Sequence, residues 1–117
     1  MRAVIADDSS LPRDILRQVL TKAGYQILAA CANGQQVIDA VAADPPDFVV
    51  LDVSMPVLTG DAAARIIRER FPKVRVIMAS SAGQDAIRKP LEAIGCAFVS
   101  KPYNKDQFLK ALVAHLR

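Results

Sequence analysis

Two apolar patterns take turns along the chain. Arg2–Ala6 is a short, nearly continuous apolar run that ends in Asp7-Asp8. From Leu11 the apolar positions are Leu11, Ile15, Leu16, Val19, Leu20 and Ala23. That spacing is helical, and Gly24 closes it as a C-terminal cap, with Pro12 tolerated in the first turn. Gln26–Ala30 reads as a second strand, Asn33-Gly34 as a turn, and Gln35–Ala43 as a short helix with Val37, Ile38 and Val41 inward, stopped by Pro45-Pro46. Phe48–Leu51 is wholly apolar and ends in Asp52, the pattern of a strand buried on both faces. Gly60 opens a third helix carrying Ile66 and Ile67, and Val74–Ala79 is a fourth strand ending in Ser80-Ser81. Gln84–Ile94 is a weaker fourth helix, in which Pro90 is expected to cause a kink or a late start. Ala97–Ser100 is a fifth strand; after Lys101-Pro102 the last helix is expected to bury Phe108, Leu109, Leu112, Val113 and Leu116.

The strand–helix unit thus recurs five times with short linkers, which predicts a parallel sheet covered by helices on both faces and joined by right-handed crossovers. No solenoid period and no low-complexity tract interrupts it, so residues 1–117 read as a single domain with no room for an attached output domain.

Composition changes this picture little. No apolar run approaches the roughly 18 residues of a membrane helix, and the N-terminus has the apolar length of a strand rather than of a signal peptide, so a cytoplasmic protein that binds no membrane is expected. The net charge of +3 is too small, without tryptophan or a basic aromatic stripe, to argue for nucleic-acid binding. Arg65, Arg68, Arg70 and Lys73 cluster, and the simpler reading is a solvated helix face. Cys31 and Cys96 fit no metal or redox spacing and read as reduced packing residues; His115 suits the negative end of the last helix.

The chemistry gathers at one edge. In an open parallel sheet, ligands bind beyond the carboxyl ends of the strands. There the first strand delivers Asp7 and Asp8, the third Asp52, the fourth Ser80 and the fifth Lys101. Taken singly, each is an ordinary turn, cap or solubilising residue, and Ser9 or Ser10 is expected to cap the first helix. Together they are a phosphoryl-transfer set. Two carboxylates 4 Å apart repel by about 4 kcal/mol at an effective dielectric near 20, so three call for a cation among them. Lys101 supplies one positive charge. Oxygen-only ligands with room for water suit Mg2+, with Mn2+ as an alternative. A carboxylate can attack phosphorus to give an aspartyl phosphate, and the Ser80 hydroxyl can donate to a phosphoryl oxygen.

These residues resemble the response-regulator receiver family over the whole chain, in its single-domain, CheY-like form. The matching segments are Val4-Ile5-Ala6-Asp7-Asp8-Ser9, Leu51-Asp52-Val53-Ser54-Met55-Pro56 with Gly60, Val76-Ile77-Met78-Ala79-Ser80-Ser81, and Phe98-Val99-Ser100-Lys101-Pro102-Tyr103. The resemblance implies a flavodoxin-like, doubly wound α/β fold with strand order 2-1-3-4-5. It implies Asp52 as phosphoacceptor in a two-component system, Asp8 as direct metal ligand, Asp7 acting through water, and the Ser54 main-chain carbonyl as a further ligand. It makes Ser80 the switch hydroxyl, Lys101 the phosphate partner, Phe98 the rotating aromatic, and the Lys101–Pro102 bond cis. A histidine kinase or phosphotransfer protein is the implied donor, and a protein target is expected to read the face made by the fourth helix, fifth strand and fifth helix. Phe98 lacks a tyrosine's hydroxyl, Ser80 lacks the methyl of the commoner Thr, and Ser54 and Ala82 flank the site with small side chains.

Three other classes compete. A phosphatase or phosphotransferase with an aspartyl nucleophile needs a substrate cap that 117 residues leave little room for. A flavin carrier needs a phosphate-cradling loop where Asp7-Asp8 would repel phosphate. A phosphorylation-independent receiver-like interaction module would not need the complete acidic and basic set.

Overall fold

The computed structural model describes residues 1–81, 84–101 and 104–116. Its elements run β1 (Arg2–Ala6), α1 (Ser10–Lys22), β2 (Gln26–Cys31), α2 (Gly34–Ala43), β3 (Phe48–Asp52), α3 (Gly60–Arg70), β4 (Arg75–Ser80), α4 (Asp85–Ala93), β5 (Ala97–Ser100) and α5 (Lys105–Leu116). The strands form one parallel sheet in the order β2-β1-β3-β4-β5. The fold class and strand order expected from the sequence are therefore present.

Alternation along the central strands builds two cores. Val4, Ala6, Val49, Leu51, Val76 and Met78 face the side covered by α2, α3 and α4. Ala3, Ile5, Phe48, Val50 and Ile77 face α1 and α5, where Leu16, Leu20, Phe108 and Leu112 close over them. Adjacent strand residues point to opposite faces, so a sheet buried on both sides needs the unbroken apolar runs seen in the sequence.

Several local expectations shift. Asn33-Gly34 is not a free turn. The Asn33 side chain accepts the Gln36 N–H at 2.9 Å as the N-cap of α2, and Gln36 Oε1 accepts the Ala32 N–H at 2.7 Å, so the helix starts at Gly34. Strand β4 lies one residue later than expected, because the Val74 N–H closes a turn onto the Phe71 carbonyl while Ser80 pairs with Ser100. Helix α4 starts well before Pro90 and continues through it, at the loss of one N–H donor. In α5, Phe108, Leu112 and Leu116 are buried, Leu109 is half-buried and packs against the same core, and Val113 is 44% exposed. In α1, Leu11 and Ile15 are 70% and 51% exposed, because Leu16 and Leu20 are the positions turned to the sheet. Gly24, at φ +98°, ends α1 as expected, with the Tyr25 N–H returning to the Leu20 carbonyl at 3.0 Å.

Arg68 is not simply a solvated residue. Its guanidinium donates to the carbonyls of Ile94, Pro72 and Val74 and so ties α3 to both ends of the α4–β4 neighbourhood. Cys31 and Cys96 are free and buried, and burial pushes each thiol up to about 11. Arg75 holds the Leu116 carbonyl at the end of α5.

Two residues after β3 set the tolerance of the loop leading to α3. A Cβ at Gly60 would lie 1.9 Å from the Asp52 carbonyl oxygen, inside contact distance. Val57, 83% exposed, sits at φ +67°, a left-handed conformation that a β-branched residue resists. Gly60→Ala is accordingly expected to destabilise the fold by about 2 kcal/mol or more. Val57→Gly is expected to stabilise it by about 1 kcal/mol through relief of strain. Urea unfolding of the two variants beside the parent chain checks both signs.

Candidate functional site

The register of the sheet delivers the acidic cluster. Ala6 pairs with Leu51 and Asp52 with Ala79, so Asp7 emerges beside Asp52 on one side, and Ser80 follows Ala79 on the strand at the other side of Asp52. One carboxylate oxygen each from Asp7, Asp8 and Asp52 lies within 4.8 Å of the others. Asp7 and Asp52 are partly buried; Asp8 is exposed. Lys101, just past β5, places its Nζ 3.2 Å from Asp52 Oδ1 and 3.9 Å from Asp7 Oδ2. Its main-chain N–H donates to the Ser80 carbonyl at 2.7 Å, which fixes the lysine's base to the end of β4.

The β1–α1 loop is held by Asp7 rather than by a serine side-chain cap. Ser9 occupies the N-cap position of α1, yet its side chain makes no capping bond. Instead Asp7 Oδ1 accepts the Ser9 N–H at 2.9 Å, and Arg13 Nη1 donates to the Asp7 carbonyl at 2.8 Å. Arg13 was not visible as a site-supporting residue in sequence, because a helical arginine five positions beyond an acidic pair has many other uses.

Burial drives the Asp7 carboxyl above its ordinary value of 3.8, and the charges of Asp52 and Asp8 add to that rise, against the Ser9 hydrogen bond and Lys101, which lower it. Three carboxylates facing one ammonium leave a net negative site built only from oxygen donors, and it opens into a groove. That donor chemistry fits a hard divalent cation such as magnesium.

The remaining expected residues divide. Ser80 is buried at the end of β4, and Phe98 is 7% exposed, packed in the core on the α2–α4 side. The Arg88 guanidinium from α4 lies 5.3 Å from the Phe98 ring centroid, within cation–π range, and also pairs with Glu92. Ser54 is exposed on the loop after β3. The Lys101–Pro102 bond, Ala82 and Tyr103 fall outside the described residues. A groove of 790 Å³ runs from Asp7, Asp8, Asp52, Ser81 and Lys101 along the exposed side of α1, past Leu11, Ile15 and Val19, to Lys105 and Phe108 of α5.

Sequence reading missed Gln84. Its Oε1 accepts the Ser81 N–H at 2.7 Å and its Nε2 donates to Ser54 Oγ at 3.3 Å, bridging the loops after β4 and β3. The signal was present: Ser81-x-x-Gln84 has the spacing of a capping box.

A doubly wound parallel sheet with an aspartate triad and a lysine at its carboxyl edge defines a receiver-type α/β protein. The chain belongs to the response regulator receiver domain family, whose family model matches residues 3–113. It is 30% identical to the chemotaxis protein CheY of Bacillus subtilis over 112 residues, 95% of this chain and 93% of that one. It is 37% identical over 105 residues to a protein-glutamate methylesterase/protein-glutamine glutaminase of Archaeoglobus fulgidus, of which it spans only 30%. Among solved structures, the CheX–CheY–BeF3–Mg complex of Borrelia burgdorferi superposes with a TM-score of 0.89 at 27% identity, covering 97% of this chain and 87% of that chain. Phosphorylation-dependent switching is the general role of the family. Among the described residues no helix is long and apolar enough to cross a membrane.

The raised Asp7 carboxyl fixes the sign of a stability effect. Below the ordinary value of 3.8 the carboxyl is neutral in both the folded and the unfolded chain and costs nothing. As pH rises from there through the higher folded value, the unfolded chain ionises first, and metal-free stability falls. Asp7→Asn is therefore expected to raise the metal-free melting temperature at pH 7 and to bring no gain at pH 3. Thermal unfolding in chelator at the two pH values measures the difference.

Proposed function

We propose that the protein is a phosphorylation-dependent signalling switch of a two-component system, a single receiver domain spanning residues 1–117 and working in the cytoplasm. It accepts a phosphoryl group on Asp52 from a histidine kinase or phosphotransfer protein. The observation that carries this reading is the convergence of Asp7, Asp8 and Asp52 within 4.8 Å, with the Lys101 ammonium 3.2 Å from Asp52. The Borrelia relative's complex, with beryllofluoride and magnesium, supports it by likeness.

An Asp52 carboxylate oxygen attacks phosphorus, the P–O bond forms and the P–N bond of phosphohistidine breaks. The electron pair of that bond stays on the imidazole nitrogen, and the ring leaves neutral when its other nitrogen keeps the proton. Magnesium or manganese held by Asp8, Asp52 and the Ser54 main-chain carbonyl, with Asp7 through water, would offset the negative charge that phosphate brings to three carboxylates. Lys101 takes the ion-pair role toward a phosphoryl oxygen, released in part from Asp52. Reversal to the resting state is hydrolysis: water attacks phosphorus, and the Asp52 carboxylate and inorganic phosphate are restored. The chain assists these two steps on itself and turns over no outside metabolite.

The readout follows from Ser80 and Phe98. A phosphoryl group adds negative charge and acceptor oxygens beside the buried Ser80 hydroxyl, which moves to donate to one. Phe98, without a hydroxyl, then gains or loses packing alone, and its neighbour Arg88 carries the change into α4. The α4–β5–α5 face is the surface a protein partner reads, as a shift between two packings.

Incubation with acetyl phosphate and magnesium, followed at once by intact-mass measurement, is expected to give one phosphoryl adduct that needs the metal and is absent from Asp52→Ala. An unmodified chain that also ignores beryllofluoride would instead indicate a phosphorylation-independent interaction module.

A further inference from the structure

Gln84 plays no part in the phosphoryl chemistry above, yet its carboxamide spans both loops that frame Asp52. Ser81 immediately follows the last residue of β4 and lines the same groove as Asp52 and Lys101. Ser54 stands two residues beyond Asp52. With Oε1 on the Ser81 N–H and Nε2 on Ser54 Oγ, Gln84 fastens one loop to the other across 30 positions of sequence.

A main-chain N–H beside the phosphoacceptor is a natural donor for an anion. In this chain that donor is already committed, to a neutral internal acceptor. We propose that Gln84 is a latch: it holds the Ser81 N–H and the β3–α3 loop in the unphosphorylated arrangement, and a phosphoryl group on Asp52 displaces its carbonyl oxygen from that N–H. The proposal rests on the reading of Asp52 as phosphoacceptor. Displacement runs forward because a hydrogen bond to a charged phosphoryl oxygen is roughly twice as strong as one to a neutral amide. It reverses when the phosphoryl group leaves.

Release of the latch has a route outward. Gln84 is also the N-cap residue of α4, and its main-chain carbonyl accepts the N–H groups of Ile87 and Arg88 at 3.1 and 3.2 Å. Arg88 is the residue over the Phe98 ring. One residue thus joins the donor at the site to the first turn of the helix whose face is read. Gln84 is a positioning residue here, since it touches no reacting atom.

The test is titration of beryllofluoride with magnesium into the full chain, the Gln84→Ala variant and the volume-preserving Gln84→Met variant, with thermal unfolding to confirm that each folds. Loss of the competing acceptor is expected to tighten beryllofluoride binding about fivefold in both variants, the scale of one neutral hydrogen bond. Acetyl phosphate labelling should quicken by a similar factor. A merely structural role predicts the opposite sign, weaker binding through a loosened loop. Equal or weaker binding in both variants overturns the latch while leaving the phosphoacceptor intact. A parent chain that takes neither beryllofluoride nor phosphoryl overturns the phosphoacceptor reading, and the latch with it.

Discussion

The alignment of β1 against β3 governs both the core and the chemistry. With Ala6 opposite Leu51, the first residue past each apolar run is acidic, and the two acids emerge side by side. The same alignment sends Val4, Ala6, Val49 and Leu51 to one face and Ala3, Ile5, Phe48 and Val50 to the other. A slip of one residue would reverse every one of these side chains relative to its neighbours. Burial of two apolar cores therefore also sets the spacing of carboxylates that would otherwise drift apart. The repulsion among them is imposed on the site by a much larger packing energy elsewhere.

Lys101 answers only part of that repulsion. It reaches Asp52 more closely than Asp7, and it leaves Asp8 to solvent. The residual negative charge is a standing cost to the metal-free fold, and a bound cation would offset it. Gly60 adds a geometric condition. It leaves no room for a Cβ against the Asp52 carbonyl, and its N–H donates to the Val53 carbonyl at 2.9 Å, so the start of α3 packs against the end of the strand that carries Asp52.

Most of the architecture was legible because strands buried on both faces must be continuously apolar, and their polar sequels must then share one edge. The five strands and the acid–lysine set at one edge follow from that, while the strand order came from the resemblance to the receiver family. What stayed hidden depended on a side chain choosing among partners. Asn33-Gly34 reads as a turn until Gln36 is seen to reciprocate the cap. Arg68 reads as surface charge until three carbonyls converge on it. Val113 has the periodicity of a buried position, but the register of α5 on the sheet leaves it outside. Gln84 carried a capping-box spacing, yet nothing in the sequence indicated that its second group would cross to Ser54. Ser9 has the right chemistry for a cap and the N-cap position, yet its side chain makes no capping bond and its own N–H is taken by Asp7.

Pro90 gives α4 a particular energetic character. The helix has nine residues, one backbone donor fewer than its length implies, and a single fully buried side chain, Leu91. Segments with few buried contacts and few hydrogen bonds open at the low end of a protein's free-energy scale, well below global unfolding. Melting or re-docking α4 therefore asks little of the rest of the molecule, whose two cores lie mostly under other helices. A partner can remould this face at the moment of contact, and its specificity can reside in how it reorders a soft helix as much as in the shape that helix shows beforehand.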